Sequence, residues 1–259
     1  VLKELLGIDL ARSPGALLVR RIREKQDVAG RPVDLLVRAM RLAADRLVHT
    51  PIAIPYQMQL TLTAIALQDI PDDAHVDEEW LRRWWGLTTV WGSFASAATH
   101  RVQAALRHLR AGLLGKHEPW PGLLYHSAEA SPLPNLELRN ARARYFTDGY
   151  ASQCGGVELL HRRGNRAVVS LIRGEGTRPG NRFIWESERA DHLTQALDSK
   201  DVDLLKDHFI DADCLEAWSR GEIGAFLEAR EGLMNRAEAV WFAGLRAAEF
   251  IEGRPSSQV

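Results

Sequence analysis

Apolar residues recur at helical spacing along most of this chain, and one long stretch breaks the pattern: residues 155–185, GGVELLHRRGNRAVVSLIRGEGTRPGNRFIW. Within it, 157–160 (VELL) and 167–172 (AVVSLI) are short apolar or β-branched runs bounded by Gly, which predicts two strands. The fold class that follows is mainly α, a helical array with a small β-hairpin inserted between two helical halves. The same stretch carries His161, Asn165 and Asn181 among Arg162, Arg163, Arg166, Arg173, Arg178 and Arg182. A hairpin presenting one His, two Asn and dense arginine points to phosphate or nucleic-acid chemistry. The plainer reading is that the Asn residues are turn residues, since Gly164-Asn165 and Gly180-Asn181 are both typical turn pairs.

Charge sharpens the pattern. The chain of 259 residues has a formal net charge of -1, which excludes a uniformly basic nucleic-acid binder. Yet residues 139–189 hold ten Arg and no Lys against five acids, while residues 191–231 hold eleven acids against four bases. This asymmetry predicts either a localised anion-facing surface or ion pairing between neighbouring segments. Arg142 and Arg144, on the exposed side of a helix expected over 137–151, extend the cationic set.

Cys154 and Cys214 are far apart and form no CxxC pair, so a reducing cytoplasm is expected rather than a disulfide or zinc framework. No apolar run reaches the ~18–20 residues of a membrane span, and no secretory signal is seen. The chain opens on Val1, which reads as a processed product or as the C-terminal piece of something longer.

Three regions are expected: an N-terminal helical domain over 1–114, a Pro/Gly-rich linker over 115–135 and an Arg-rich hairpin with C-terminal helices over 136–259. Pro14 opens a helix to about Gln26, and Pro32 and Asp34 open another with Leu35, Leu36, Ala39, Met40, Leu42 and Ala43 as its stripe. Helices are also expected over 56–68 and 96–113. Asp77 caps a helix bearing Trp80, Trp84 and Trp85; their spacing is that of a core face, with a base-stacking platform as the alternative. His117 and His126 read as loop histidines, and His192 and His208 as surface residues. After the hairpin, short helices are expected over 191–197 and 202–209, then one long helix over 223–251 that Gly224, Gly232 and Gly244 weaken.

Several tracts resemble the GmrSD-type restriction proteins. In the C-terminal half these are Asn181-Arg182-Phe183-Ile184, Leu204-Leu205-Lys206-Asp207-His208-Phe209-Ile210 and Gly221-Glu222-Ile223-Gly224-Ala225-Phe226-Leu227-Glu228-Ala229-Arg230. In the N-terminal half they are Ile54-Pro55-Tyr56-Gln57-Met58-Gln59-Leu60, Leu81-Arg82-Arg83-Trp84-Trp85-Gly86 and His100-Arg101. The resemblance covers about residues 30–110 and 155–245. The family's N-terminal ParB-like domain, with its Asp-Gly-Gln-Gln-Arg motif, has no counterpart here. Its His–aromatic–Pro nuclease motif is reduced to His161-Arg162-Arg163-Gly164-Asn165.

What the resemblance implies is a restriction or anti-phage defence component acting on DNA, modified DNA included, through an HNH-like endonuclease module built on a degenerate ββα-metal element. An N-terminal nucleotide-hydrolysing domain, or a separate subunit carrying one, would be its partner, and no membrane partner is expected. His161 would take a proton from water as general base, supported by Asn165 and Asn181. His161 and Asn181 would hold one Mg²⁺ or Mn²⁺, with no organic cofactor. Arg142, Arg144, Arg162, Arg163, Arg166, Arg178 and Arg182 would hold phosphates. The alternatives are a non-catalytic nucleic-acid-binding module, or a helical protein-interaction scaffold whose arginines pair with the acidic segment.

Overall fold

The computed structural model describes residues 31–49, 54–71, 74–95, 99–120, 132–186, 190–247 and 250. Ten α-helices and one two-stranded antiparallel sheet are found among them. The expected helix over 14–26 lies outside the described residues, as does His126. The chain divides into two compact units. Unit 1 comprises Val1–Leu47, Tyr56–His126 and Leu245–Val259, and unit 2 comprises Val48–Pro55 and Ser127–Gly244. One division between them lies between His126 and Ser127. The division is otherwise less simple than expected, because the C-terminal tail belongs with the N-terminal unit and residues 48–55 with the other.

Unit 1 is helical among its described residues. Helix α1 (Arg31–Arg46) places Leu35, Ala39 and Ala43 in the core. Its Arg38 donates to the carbonyls of Ile70 (2.7 Å) and Pro71 (2.8 Å), satisfying acceptors left over after α2 (Gln57–Ala66). Gln59 is fully buried because its amide is occupied: Nε2 donates to Trp85 O (2.9 Å) and Thr88 Oγ1 (2.7 Å). Helix α3 (Glu78–Val90) starts where Asp77 accepts from the Trp80 N–H at 2.9 Å. Trp80, Trp84 and Trp85 are all buried, which settles them as core rather than platform. Gly112 on α4 (Thr99–Leu113) lets Trp80 close against it; a Cβ there would meet the indole at 2.2 Å.

Unit 2 begins with α5 (Ala141–Gln153), capped by Asn140, whose side chain accepts from the Arg142 and Ala143 N–H groups. The next element corrects the sequence reading. Residues Val157–Arg163 form α6, not a strand. A four-residue apolar run cannot by itself distinguish the two, and here it continues into helix-tolerant His161-Arg162-Arg163 with only Leu160 buried. Gly164, at φ 55, ends the helix in a positive-φ conformation that glycine adopts without a Cβ clash.

The hairpin therefore pairs different segments: β1 (Val168–Ser170) lies antiparallel to β2 (Arg182–Ile184), with Val168 opposite Ile184 and Ser170 opposite Arg182. Alternate residues serve opposite faces. Val168 and Ile184 join a cluster with Phe146, Tyr150, Leu160 and Met234, whereas Phe183 joins Leu193, Leu197, Cys214, Phe226 and Leu227. The hairpin is a wedge between two helical cores, so its strands look continuously apolar.

Helices α7 (Ala190–Ser199), α8 (Val202–Leu205), α9 (Ala212–Ser219) and α10 (Ile223–Ala243) complete the unit. Asp201 and Asp211 cap α8 and α9 by accepting from Leu204 N and Cys214 N. Helix α9 was not among the expected elements. The expected 223–251 helix instead stops at Ala243, and Arg246 turns the chain with a positive φ of 49. No described helix is long and apolar enough to cross a membrane.

Candidate nucleic-acid interface

The loop joining β1 to β2 is organised from beneath by two buried polar side chains. Asn181, fully buried, accepts the Ile172 N–H at 2.8 Å through Oδ1 and donates through Nδ2 to Ile172 O (2.9 Å) and Gly176 O (3.3 Å). These bonds close the loop on itself. Arg230, on α10, supports the loop's exit. Its five N–H groups reach His208 O, Pro179 O, Gly180 O, Arg182 O and the Tyr150 hydroxyl, all at 2.7–3.1 Å. The guanidinium carbon also lies 3.6 Å from the Phe183 ring centroid. Gly180 packs so closely on α10 that a Cβ would sit 2.3 Å from Leu227 O.

The network continues from Arg230 to Tyr150 to His208, whose Nδ1 accepts from the Tyr150 hydroxyl at 2.7 Å. His208 is only 4% exposed, which corrects its reading as a surface residue. Burial depresses its pKa to about 4, and the adjacent Arg230 charge acts in the same direction. Burial likewise depresses the Arg230 pKa and raises that of Tyr150. Both thiols are free, and burial pushes Cys154 and Cys214 up to about 11, so neither is a ready thiolate.

The structure separates the seven arginines expected to hold phosphate. Arg142 is bidentate to buried Glu238, and Arg144 donates to Pro55 O. Arg178 is bidentate to Glu231 at 2.7 and 3.0 Å and approaches Glu175 at 3.6 Å. Burial opposes the charge of Glu231, yet Arg178 and the Gly180 N–H hold its pKa below the ordinary carboxylate range. Arg182 donates to Ser170 Oγ at 2.8 Å, and its half-burial depresses its pKa. Engaged in these ways, the four are poorly placed for a phosphate.

The other three, Arg162, Arg163 and Arg166, are exposed at the end of α6 and in the 3-10 turn Gly164–Ala167 that leads into β1. Arg173, exposed just beyond β1 in the clamped loop, belongs with them. Arg162, Arg166 and Arg173 have no hydrogen-bond or ion-pair partner among the described residues. Glu158 and Glu175 are the exposed acids on the same segments. No protein-family model matches the chain, and no curated protein or solved structure matches it either.

The expected metal site does not fit these residues. His161 is exposed in the last turn of a helix rather than at a strand end, and Asn165 is exposed in the following turn. Asn181 is buried with both amide atoms engaged; ligating a metal would strip Ile172 and Gly176 of their partners. Among the described residues no group of three or more His, Cys, Asp or Glu is arranged to hold a metal ion.

One pairing had no sequence signal. Buried Asp148 accepts both the backbone N–H of His49 and its ring Nδ1, each at 2.9 Å, leaving the half-exposed imidazole with Nε2 available. Such an orienting carboxylate is a recurrent way to fix a histidine tautomer. The two residues are 99 positions apart, and neither stands in a motif.

Proposed function

We propose that the protein binds nucleic acid without hydrolysing it, through phosphate contacts from Arg162, Arg166 and Arg173. The observation that carries this reading is the contrast within one arginine-rich stretch. Arg139, Arg142, Arg144 and Arg178 are tied to carboxylates or a carbonyl, while Arg162, Arg166 and Arg173 are exposed with no partner among the described residues, Arg173 in the loop that Asn181 holds in shape. Guanidinium groups on pre-shaped backbone match phosphate with little ordering cost. The resemblance to restriction proteins makes DNA the first polymer to try.

The test is fluorescence anisotropy of labelled single- and double-stranded DNA over a salt series. Three phosphate contacts are expected to give a log–log salt slope of about −3 on duplex and about −2 on single strands. The R162Q/R166Q/R173Q variant should flatten the slope and weaken binding at least tenfold. A salt-independent signal, or full binding by that variant, would remove the proposal.

A further inference from the structure

We propose that His49 is a phosphoryl acceptor, taking the group on its ring Nε2 from a small acyl phosphate. The site is built by α5 and the segment 48–55, both within unit 2. Asp148, on α5, accepts the His49 backbone N–H and its ring Nδ1 with the same oxygen, each at 2.9 Å. One helical turn earlier, Arg144 donates to Pro55 O. The segment is thus pinned near both ends to one face of α5, and His49 is held by its backbone as well as by its ring.

The pair fixes where the ring carries its proton. An ionised carboxylate only accepts, so Nδ1 is the N–H and Nε2 keeps the lone pair. The Asp148 side chain is 6% exposed and that of His49 is 52% exposed, so the carboxylate sits in low dielectric while the ring meets solvent. Nε2 has no hydrogen-bond or ion-pair partner among the described residues. His117 is the contrast: it meets Asp77 through Nε2 at 3.0 Å, which leaves only Nδ1, the nitrogen nearer its own main chain. His108 and His208 are buried, and His161 and His192 are exposed with no carboxylate partner among the described residues.

These features select the donor. When the Nε2 lone pair attacks phosphorus, an N–P bond forms as the P–O bond to the leaving group breaks and its electron pair departs with that group. The ring becomes an imidazolium that still bears Nδ1–H, and the buried carboxylate 2.9 Å away stabilises the new positive charge. No proton has to move. No described residue is bonded at Nε2 to protonate a leaving group, so the donor is one whose leaving group departs as a stable anion. An acyl phosphate meets this requirement: the dianionic donor and the neutral ring become a carboxylate and an N-phosphoryl imidazolium, with atoms and charge conserved.

Incubation of the full chain with acetyl phosphate at neutral pH, followed by peptide mass spectrometry under alkaline conditions that preserve phosphohistidine, tests this. His49 should be labelled, on Nε2, about tenfold or more faster than His161 and His192 of the same chain. Asp148→Asn, judged folded by circular dichroism, offers Nδ1 an amide N–H and so reverses the tautomer. It should slow labelling of His49 about tenfold or more and leave His161 unchanged. Labelling of His49 no faster than of His161 and His192 would overturn the site, and that comparison needs only the native chain. Full-rate labelling of a folded Asp148→Asn would overturn the part given to the carboxylate. An acetyl adduct on His49 in place of a phosphoryl one would overturn the phosphoryl assignment.

Discussion

Arg230 and Arg166 are the same side chain put to opposite uses in unit 2. Arg230 is wholly buried, and all five of its N–H groups are spent on carbonyls and one hydroxyl. Arg166, with Arg162 and Arg173, stands in water. Between these extremes lie Arg142 and Arg178, each clamped by a glutamate from α10. The difference teaches that the arginines of unit 2 form two populations: one closes the backbone of an irregular loop, and the other is exposed, where the proposed polyanion would bind. Removing a member of the first should unfold; removing a member of the second should only weaken binding.

The sharpest way to break this comparison is Arg230→Met. It keeps approximate volume but removes the guanidinium donors from the carbonyls of His208, Gly180 and Arg182, leaving Pro179 O only the Arg182 N–H, so we expect a loss of about 4 kcal/mol or more in urea unfolding. A loss under about 1 kcal/mol would contradict the clamp. Next comes Glu238→Ala, which leaves Arg142 buried without its carboxylate; breaking a buried pair in this way costs about 3–5 kcal/mol.

Acid supplies a third test. The folded-state pKa of His208 is lowered to about 4 from its ordinary 6.5. A depressed pKa means that the unfolded chain takes up the proton first. The stabilisation is therefore whole above pH 6.5 and is lost as pH falls through about 4, to a total of about 3 kcal/mol. His208→Gln keeps an acceptor for Tyr150 and should flatten the unfolding free energy between pH 6.5 and 4 by most of that amount. An unchanged pH profile would show that His208 titrates elsewhere.

Asn181→Ala should cost about 2 kcal/mol and raise amide exchange at Ile172, where its side-chain oxygen is the acceptor. The smallest effect belongs to R162Q/R166Q/R173Q, where stability should change by less than about 0.5 kcal/mol while DNA binding falls. A large loss of stability there would move these residues into the first population.

Much of the architecture was legible because it is local. Helices α1 to α5 follow from apolar spacing, with Pro32 and Asp77 at the starts of α1 and α3, although α5 begins at Ala141 behind its Asn140 cap rather than at 137. The hairpin was legible in kind but not in register. The VELL run is as consistent with helix as with strand, and only pairing with Arg182–Ile184 decides which segment is β1. The site was less legible. Whether Arg178 faces solvent or Glu231 depends on a residue 53 positions away, and nothing near Asn181 announces that its amide will be buried. His208 and Arg230 sit in an acidic stretch that reads as surface, yet they form the core of the network.

Incubation of the full chain with supercoiled plasmid, with and without Mn²⁺, tests the central claim most directly. The account predicts plasmid that is retarded at low salt, released as salt rises, and left covalently intact by both the native protein and His161→Ala. Metal-dependent nicking by the native protein that His161→Ala abolishes would contradict it.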